Sequence, residues 1–319
     1  MKIAVLGLVT LLLGCASAQR VHALDAACPL PAEGEKAQDC PWAGLAREML
    51  KAGNDPASVL DREAPQLATD LATARTKLQV FQNLWGRSIN FDESAKGTIV
   101  ETPILDLILE RAGAPARQER IVHAGIEHTY GYLFSNLKTS FGYKRARWVS
   151  GEIDRGFGFS DPTIAPAPSK GSLFANITAL SGKIAFRGEE ALLGLIADQQ
   201  KAGLVAPAVS KLDASKLEVT RLTEEVYAAR TFTITTDFVK FPFDSGTSNT
   251  HLLVYSIQSS PESSPLLITV FPVEAGFVKN AVNPSGLGEG KAVSTRYNAH
   301  VEGVTGKQWT GKRSVRTWN

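Results

Sequence analysis

Cysteine is nearly missing from this chain, with three in 319 residues, at positions 15, 28 and 40. They have no second Cys pair or suitably spaced His beside them, so no metal site is expected. An excess of charge is missing as well. Lys and Arg number 34 against 32 Asp and Glu, and no continuous basic stripe appears, so nucleic acid is not an expected partner. No apolar run beyond the first fifteen residues is long enough to span a bilayer. There is no repeat at a fixed period and no low-complexity block, which argues against a solenoid or propeller.

Catalytic signatures are missing too. His123-Ala-Gly-Ile-Glu127-His128 has three residues between His123 and Glu127, whereas the zinc-hydrolase patterns are H-E-x-x-H or H-x-x-E-H. Gly286-Leu-Gly288-Glu-Gly290-Lys291 lacks the G-K-[ST] ending of a phosphate loop and reads as a flexible loop. Ser248, with His251 nearby, lies in no G-x-S-x-G elbow. No cofactor is expected.

What is present begins at the N-terminus. Lys2 precedes an apolar run from Ile3 to Leu13, followed by Gly14-Cys15 and Ala16-Ser17-Ala18. A positive start, a short apolar stretch and a small-residue exit make an export signal. Leu12-Leu13-Gly14-Cys15 resembles the lipobox of bacterial lipoproteins, in which the Cys is lipidated and becomes the mature N-terminus. Ala16 behind it points by the same resemblance to the outer membrane. The competing exit after Ala18 gives a periplasmic or secreted protein. The expected organisation is therefore a signal over 1–14, or to 18 with an ordinary signal peptidase, and a tether over 15–40. In the tether, Cys28 and Cys40 pair under either cleavage, in an oxidising compartment.

Residues 41–319 are expected to form a single α+β unit, with a helical layer over 41–115 packed on a large, curved, mainly antiparallel sheet over 116–319. Helical spacing runs from Pro41 to Gly53, from Pro65 to Trp85 (Leu67, Leu71, Ala74, Leu78, Phe81 and Trp85 in one stripe), and from Thr102 to Gly113. Beyond Pro115 the period becomes two, and strands are predicted at Ile121 to Phe134, Arg145 to Phe159, Leu173 to Phe186, Leu217 to Leu222, Tyr227 to Phe241, His251 to Ile257, Leu266 to Val273, Ala292 to Val301 and Lys307 to Trp318. One helix, Glu189 to Lys201, interrupts them.

On this frame two groups carry candidate chemistry. Arg296, Asn298, His300 and Glu302 alternate along a predicted strand and share a face, offering a cation, an amide, an imidazole and a carboxylate. With His251 or Glu127 beside them, His300 and Glu302 supply the acid/base pair of a secreted hydrolase. The second group is aromatic. Tyr130, Tyr132 and Trp148 interleave with Lys144 and Arg147 in the expected first hairpin, where a concave sheet face can hold an apolar or glycan-like ligand and orient its polar end. Glu127 is expected to pair across that hairpin with Lys144 or Arg147. The leading expectation is an envelope lipoprotein, anchored to the membrane through Cys15, that binds a small molecule or protein partner on the concave face through Tyr130, Tyr132, Trp148, Arg147, Arg296 and Asn298. The hydrolase and a purely structural envelope-assembly lipoprotein are the alternatives.

Overall fold

The computed structural model describes residues 41–53, 55–76, 85–139, 142–167, 171–185, 190–227, 231–283, 285, 291–294, 299–300 and 308–318. The architecture is α+β. The N-terminal helices begin where Pro and Asx signals start them: α1 Pro41–Lys51, α2 Pro56–Glu63, α3 Pro65–Thr76 and α4 Thr102–Ala112. Asp55 caps α2 by accepting the Ser58 N–H at 3.1 Å. Gly113 ends α4 in the left-handed region (φ +67°) and donates to the carbonyls of Leu109 and Glu110. Leu67 and Leu71 of α3 are buried as their stripe predicts, whereas residues 77–84 lie outside the described set.

Two predicted strands are helical, and a third, Ile121 to Phe134, is a strand only over Ile121–His123. Ile126–Phe134 forms α5, Ala146–Val149 and Glu152–Phe157 form α6 and α7, and Leu173–Ile184 forms α8. Both helices longer than two turns here are buried almost throughout at the positions whose side chains are described. Thr129, Tyr130, Tyr132, Leu133 and Phe134 are covered in α5, as is every residue from Leu173 to Gly182 in α8. A helix without a solvent face shows no amphipathic period, so the chance alternation of Tyr130, Tyr132 and Phe134 misleads. In α8 the decisive local signal is Ser172, whose Oγ accepts the Ala175 N–H at 2.9 Å. The helical layer thus extends to α9 Glu190–Lys201, α10 Pro207–Lys211 and a 3-10 turn at Ala214–Lys216.

The sheet follows. The small strand β1 Arg87–Ile89 pairs with β12 Ala299–His300 on one side and β4 Ile121–His123 on the other, in the order β12-β1-β4. Two further pairs, β2 Phe91–Asp92 with β3 Gly97–Thr98 and β5 Lys138–Thr139 with β6 Gly142–Tyr143, are short hairpins. The large sheet joins β7 Val219–Tyr227, β8 Thr231–Lys240, β9 Asn249–Gln258, β10 Leu266–Glu274, β11 Lys291–Ser294 and β13 Gln308–Trp318. Its order is β10-β9-β8-β7-β13-β11, antiparallel throughout.

Trp85, just before β1, bridges Leu267 of edge strand β10, and Gly86 N donates to the Leu267 carbonyl at 3.0 Å, so the small sheet meets one edge of the large one, while β11 is the other edge.

Each face has its own core. One face presents Val219, Val239, Phe241, Leu252 and Val254 to the helices, in a cluster with Leu173, Phe174, Ile177, Phe157 and Trp85. The opposite face buries Leu222, Val226, Phe232, Ile234, Phe238, Leu253, Tyr255 and Ile257 in a separate cluster with Val278 of α11 Ala275–Ala281.

Candidate functional site

The helix-facing side of the large sheet changes character along β7. Val219 lies in the core, but Arg221 and Thr223, two and four residues on, look onto a cavity of about 550 Å³ that is open to solvent. Its other walls are Ser314, Arg316 and Trp318 of β13. Period-two geometry puts these five side chains on one face, and the register sets Trp318 against Val219, Arg316 against Arg221 and Ser314 against Thr223.

Arg221 is locked in place. Its Nε and Nη2 donate to Oδ1 and Oδ2 of Asp237 on β8 at 2.6 and 2.8 Å, a fork-to-fork pair, and its guanidinium lies 5.0 Å from the Trp318 ring centre. The hydrogen bonds from Arg221 to Asp237 push the guanidinium pKa above its usual value. Asp237 balances Arg221, and one row further Lys312 stands against Glu225. Arg316, exposed at the cavity edge, is left as the unbalanced charge of the wall, with the hydroxyls of Thr223 and Ser314 beside it. A cation, two hydroxyl donors and an aromatic face suit an anion carried on an apolar or ring-shaped body.

The expected aromatic site is in part assembled, although on helices. Tyr132 of α5 and Trp148 of α6 have ring centres 6.4 Å apart, and Arg147 lies 5.1 Å from the Tyr132 ring and 4.5 Å from that of Phe271. Lys144 does not meet a facing strand. It pairs with Asp92 at 2.5 Å and lies 5.7 Å from Tyr132. Burial raises the Asp92 carboxyl, but the hydrogen bonds from Lys144, Ser94 and the Ala95 N–H outweigh it and hold the group well below the ordinary range. Tyr130 is elsewhere in the core, its hydroxyl donating to the buried Asp70, which also accepts from Ser172 at 2.7 Å. These aromatics are core side chains of helices and line no concave sheet face.

The acid/base candidates divide. The register places His123 and His300 in one cross-strand row, on either side of Arg87. His251 belongs to the large sheet, opposite Lys240 and Val273, with Thr250 Oγ1 2.8 Å from its Nδ1. Burial lowers its pKa. Glu127 lies in α5, whereas His123 lies in β4, so the hairpin across which Glu127 was expected to pair with Lys144 or Arg147 does not form. Arg296, Asn298, Glu302, Cys15, Cys28 and Cys40 lie outside the described residues. Among the described residues no group of three or more His, Cys, Asp or Glu is arranged to hold a metal.

Two buried carboxylates escaped sequence reasoning. Glu152, in α7, accepts from Thr247 Oγ1 at 2.9 Å and Asn249 Nδ2 at 2.8 Å, tying the helix to the β8–β9 loop. Asp154 accepts the N–H groups of Ile164 at 2.8 Å and Thr163 at 3.2 Å. Burial raises both, Asp154 to about 6. Their oxygens are used in holding loops, and neither residue lines the cavity between β7 and β13.

Comparison of the chain with protein-family models, with curated proteins and with solved structures found no match.

Proposed function

We propose that this is an exported, envelope-associated binding protein that holds an anionic ligand in the sheet cavity between β7 and β13. The observation that carries the reading is the charge pattern there. Asp237 neutralises Arg221, whereas Arg316 faces an open volume of about 550 Å³ beside Thr223, Ser314 and Trp318. The address rests on the N-terminal signal, with lipid on Cys15 and a Cys28–Cys40 bridge in the tether. In this reading the membrane is the partner of the lipid, and the ligand occupies the sheet.

Binding is tested with 8-anilinonaphthalene-1-sulfonate, a small aromatic anion, against its neutral parent lacking the sulfonate. A charge-assisted contact is worth about 1.5–3 kcal/mol, so Arg316→Gln should weaken the sulfonate by tenfold or more and leave the neutral compound unchanged. Equal affinity of the wild type and Arg316→Gln for the sulfonate sinks the proposal. Anchoring is tested separately with Cys15→Ser. Loss of membrane association and of lipid mass supports it, and an unchanged soluble product starting at Gln19 overturns it.

A further inference from the structure

The sheet cavity lies beside a strand edge. β11 covers β13 only from Gln308 to Gly311, and Ser314, Val315, Arg316 and Thr317 beyond it are exposed. The ladder fixes which backbone groups face outward there. Lys240 N donates to the Glu218 carbonyl at 2.9 Å, so the even-numbered residues of β8 turn their N–H and C=O toward β7. Their partners Thr220, Leu222 and Glu224 face β8 in return, which leaves the odd-numbered Val219, Arg221 and Thr223 to bond with β13. Those three stand against Trp318, Arg316 and Ser314. The residues between, Val315 and Thr317, therefore point their N–H and C=O away from β7, and among the described residues no strand receives them.

An open edge of this kind takes an added strand through main-chain hydrogen bonds, and side chains on the two faces supply the selectivity. Ser314 and Arg316 occupy the positions between the hydrogen-bonded ones, where facing Cα atoms of an antiparallel pair approach to about 4.5 Å and side chains are closest. Arg316 is the charge that the cavity wall leaves unbalanced, since Arg221 is held by Asp237 and Lys312 stands against Glu225. A carboxylate on the added strand, directly opposite Arg316, meets that charge at the cavity edge. On the other face Val315 is 36% exposed and Thr317 follows it, a surface for β-branched neighbours. A second copy of β13 is a poor occupant, because antiparallel pairing of the two outward-facing rows puts Arg316 and Lys312 of both copies on one face.

We propose that the open edge of β13 binds an extended acidic segment of another protein, which adds as a strand along Val315 and Thr317 and sets a Glu or Asp side chain against Arg316. On the reading of the cavity given above, on which this rests, the anion is a peptide carboxylate. Val315 and Thr317 hold the backbone of the segment, and Arg316 selects its charge.

Fluorescence anisotropy of a dye-labelled peptide, Ser-Val-Glu-Val-Ser, titrated with the full-length protein provides the test. Wild type should bind it saturably, and the same peptide with Gln in place of Glu about tenfold more weakly or worse, the loss expected of one charge-assisted contact. N-methylation of both Val residues deletes the donors that face the edge and should weaken binding by about tenfold. Val315→Pro removes an N–H that points away from β7, a placement in which proline is tolerated, so it should melt near wild type and lose the peptide. Absence of saturable binding to wild type overturns the proposal, as does equal affinity for the N-methylated peptide, whether or not Val315→Pro folds. Wild-type dimers that Val315→Pro dissociates would assign the edge to a second copy and overturn it too. The aromatic sulfonate separates this proposal from the cavity itself: a protein that binds the sulfonate through Arg316 but not the peptide loses the edge and keeps the cavity, whereas one that binds neither loses both.

Discussion

Removing Arg221 is predicted to do more damage than its half-exposed position suggests. Its partner Asp237 is 1% exposed, and Arg221→Ala strands that carboxylate beneath the sheet surface without its two hydrogen bonds. Breaking a buried pair from one side typically destabilises by about 3–5 kcal/mol. The Arg221 side chain is 33% exposed, so water reaches the vacated space and the lower end applies, about 3 kcal/mol. Loss of the stacking on Trp318 adds about 0.5–1 kcal/mol. Replacing both partners, with Arg221→Met and Asp237→Leu together, removes the stranded charge and should return to within about 1 kcal/mol of wild type. A cycle built from Arg221→Met, Asp237→Leu and the double variant therefore predicts a coupling energy of about 2–3 kcal/mol. Urea unfolding of the wild type and these three variants measures it, and with a slope of about 2–3 kcal/mol per molar the midpoint of Arg221→Ala, measured beside them, should fall by about 1 M or more. A coupling below about 0.5 kcal/mol refutes the reasoning. A double variant as unstable as Arg221→Ala would show that cavity collapse, not unpaired charge, is the cause.

Three further expectations follow the same logic. Asp70→Ala leaves the Tyr130 and Ser172 hydroxyls without their shared acceptor and should destabilise by about 2–5 kcal/mol in urea, while Asp70→Asn, which keeps an acceptor oxygen and sheds a buried charge, should lie close to wild type at pH 7. Asp154 has its folded pKa raised from 3.8 to about 6, so the folded state retains a proton that the unfolded chain releases; stability is lost as pH rises between these values, by about 3 kcal/mol in all, and subtracting the Asp154→Asn profile from that of wild type should reveal this decline. Gly311 pairs with Val226 so closely that an added Cβ would sit 1.8 Å from the Glu225 carbonyl oxygen, so Gly311→Ala should separate β13 from β7 and lower the melting temperature far more than Ala substitution at exposed Ser314.

The legible part of the sequence was the part with one solvent face or a strong stop. Leu67 and Leu71 form a stripe because the far side of α3 meets water, and Gly113 ends α4 because few other residues adopt its backbone angles cheaply. The strands from β7 to β10 and β13 were readable from β-branched alternation and intervening turns. The helices α5 and α8 were not, because burial of nearly every described side chain erases the period. For α8, length and the Ser172 cap were the usable signals, since twelve apolar-rich residues suit a helix better than a strand. The cavity wall was present in the sequence as Arg221-x-Thr223 and Ser314-x-Arg316-x-Trp318, both at period two. Nothing local indicated that strands so far apart in the chain would align them.

That alignment has a kinetic consequence. β13 lies between β7 and β11 yet comes far later in the chain than β7, so the wall that carries Arg316 is the last part of the large sheet that can be added during synthesis. Until it arrives, β7 is a bare edge with nine residues of unpaired backbone ready to accept any passing strand. Long-range pairing of this kind is slow. The interval between making β7 and docking β13 is therefore when this protein is most exposed to misassembly, and residues such as Lys312, Arg313 and Arg316 make β13 itself a poor template for self-association.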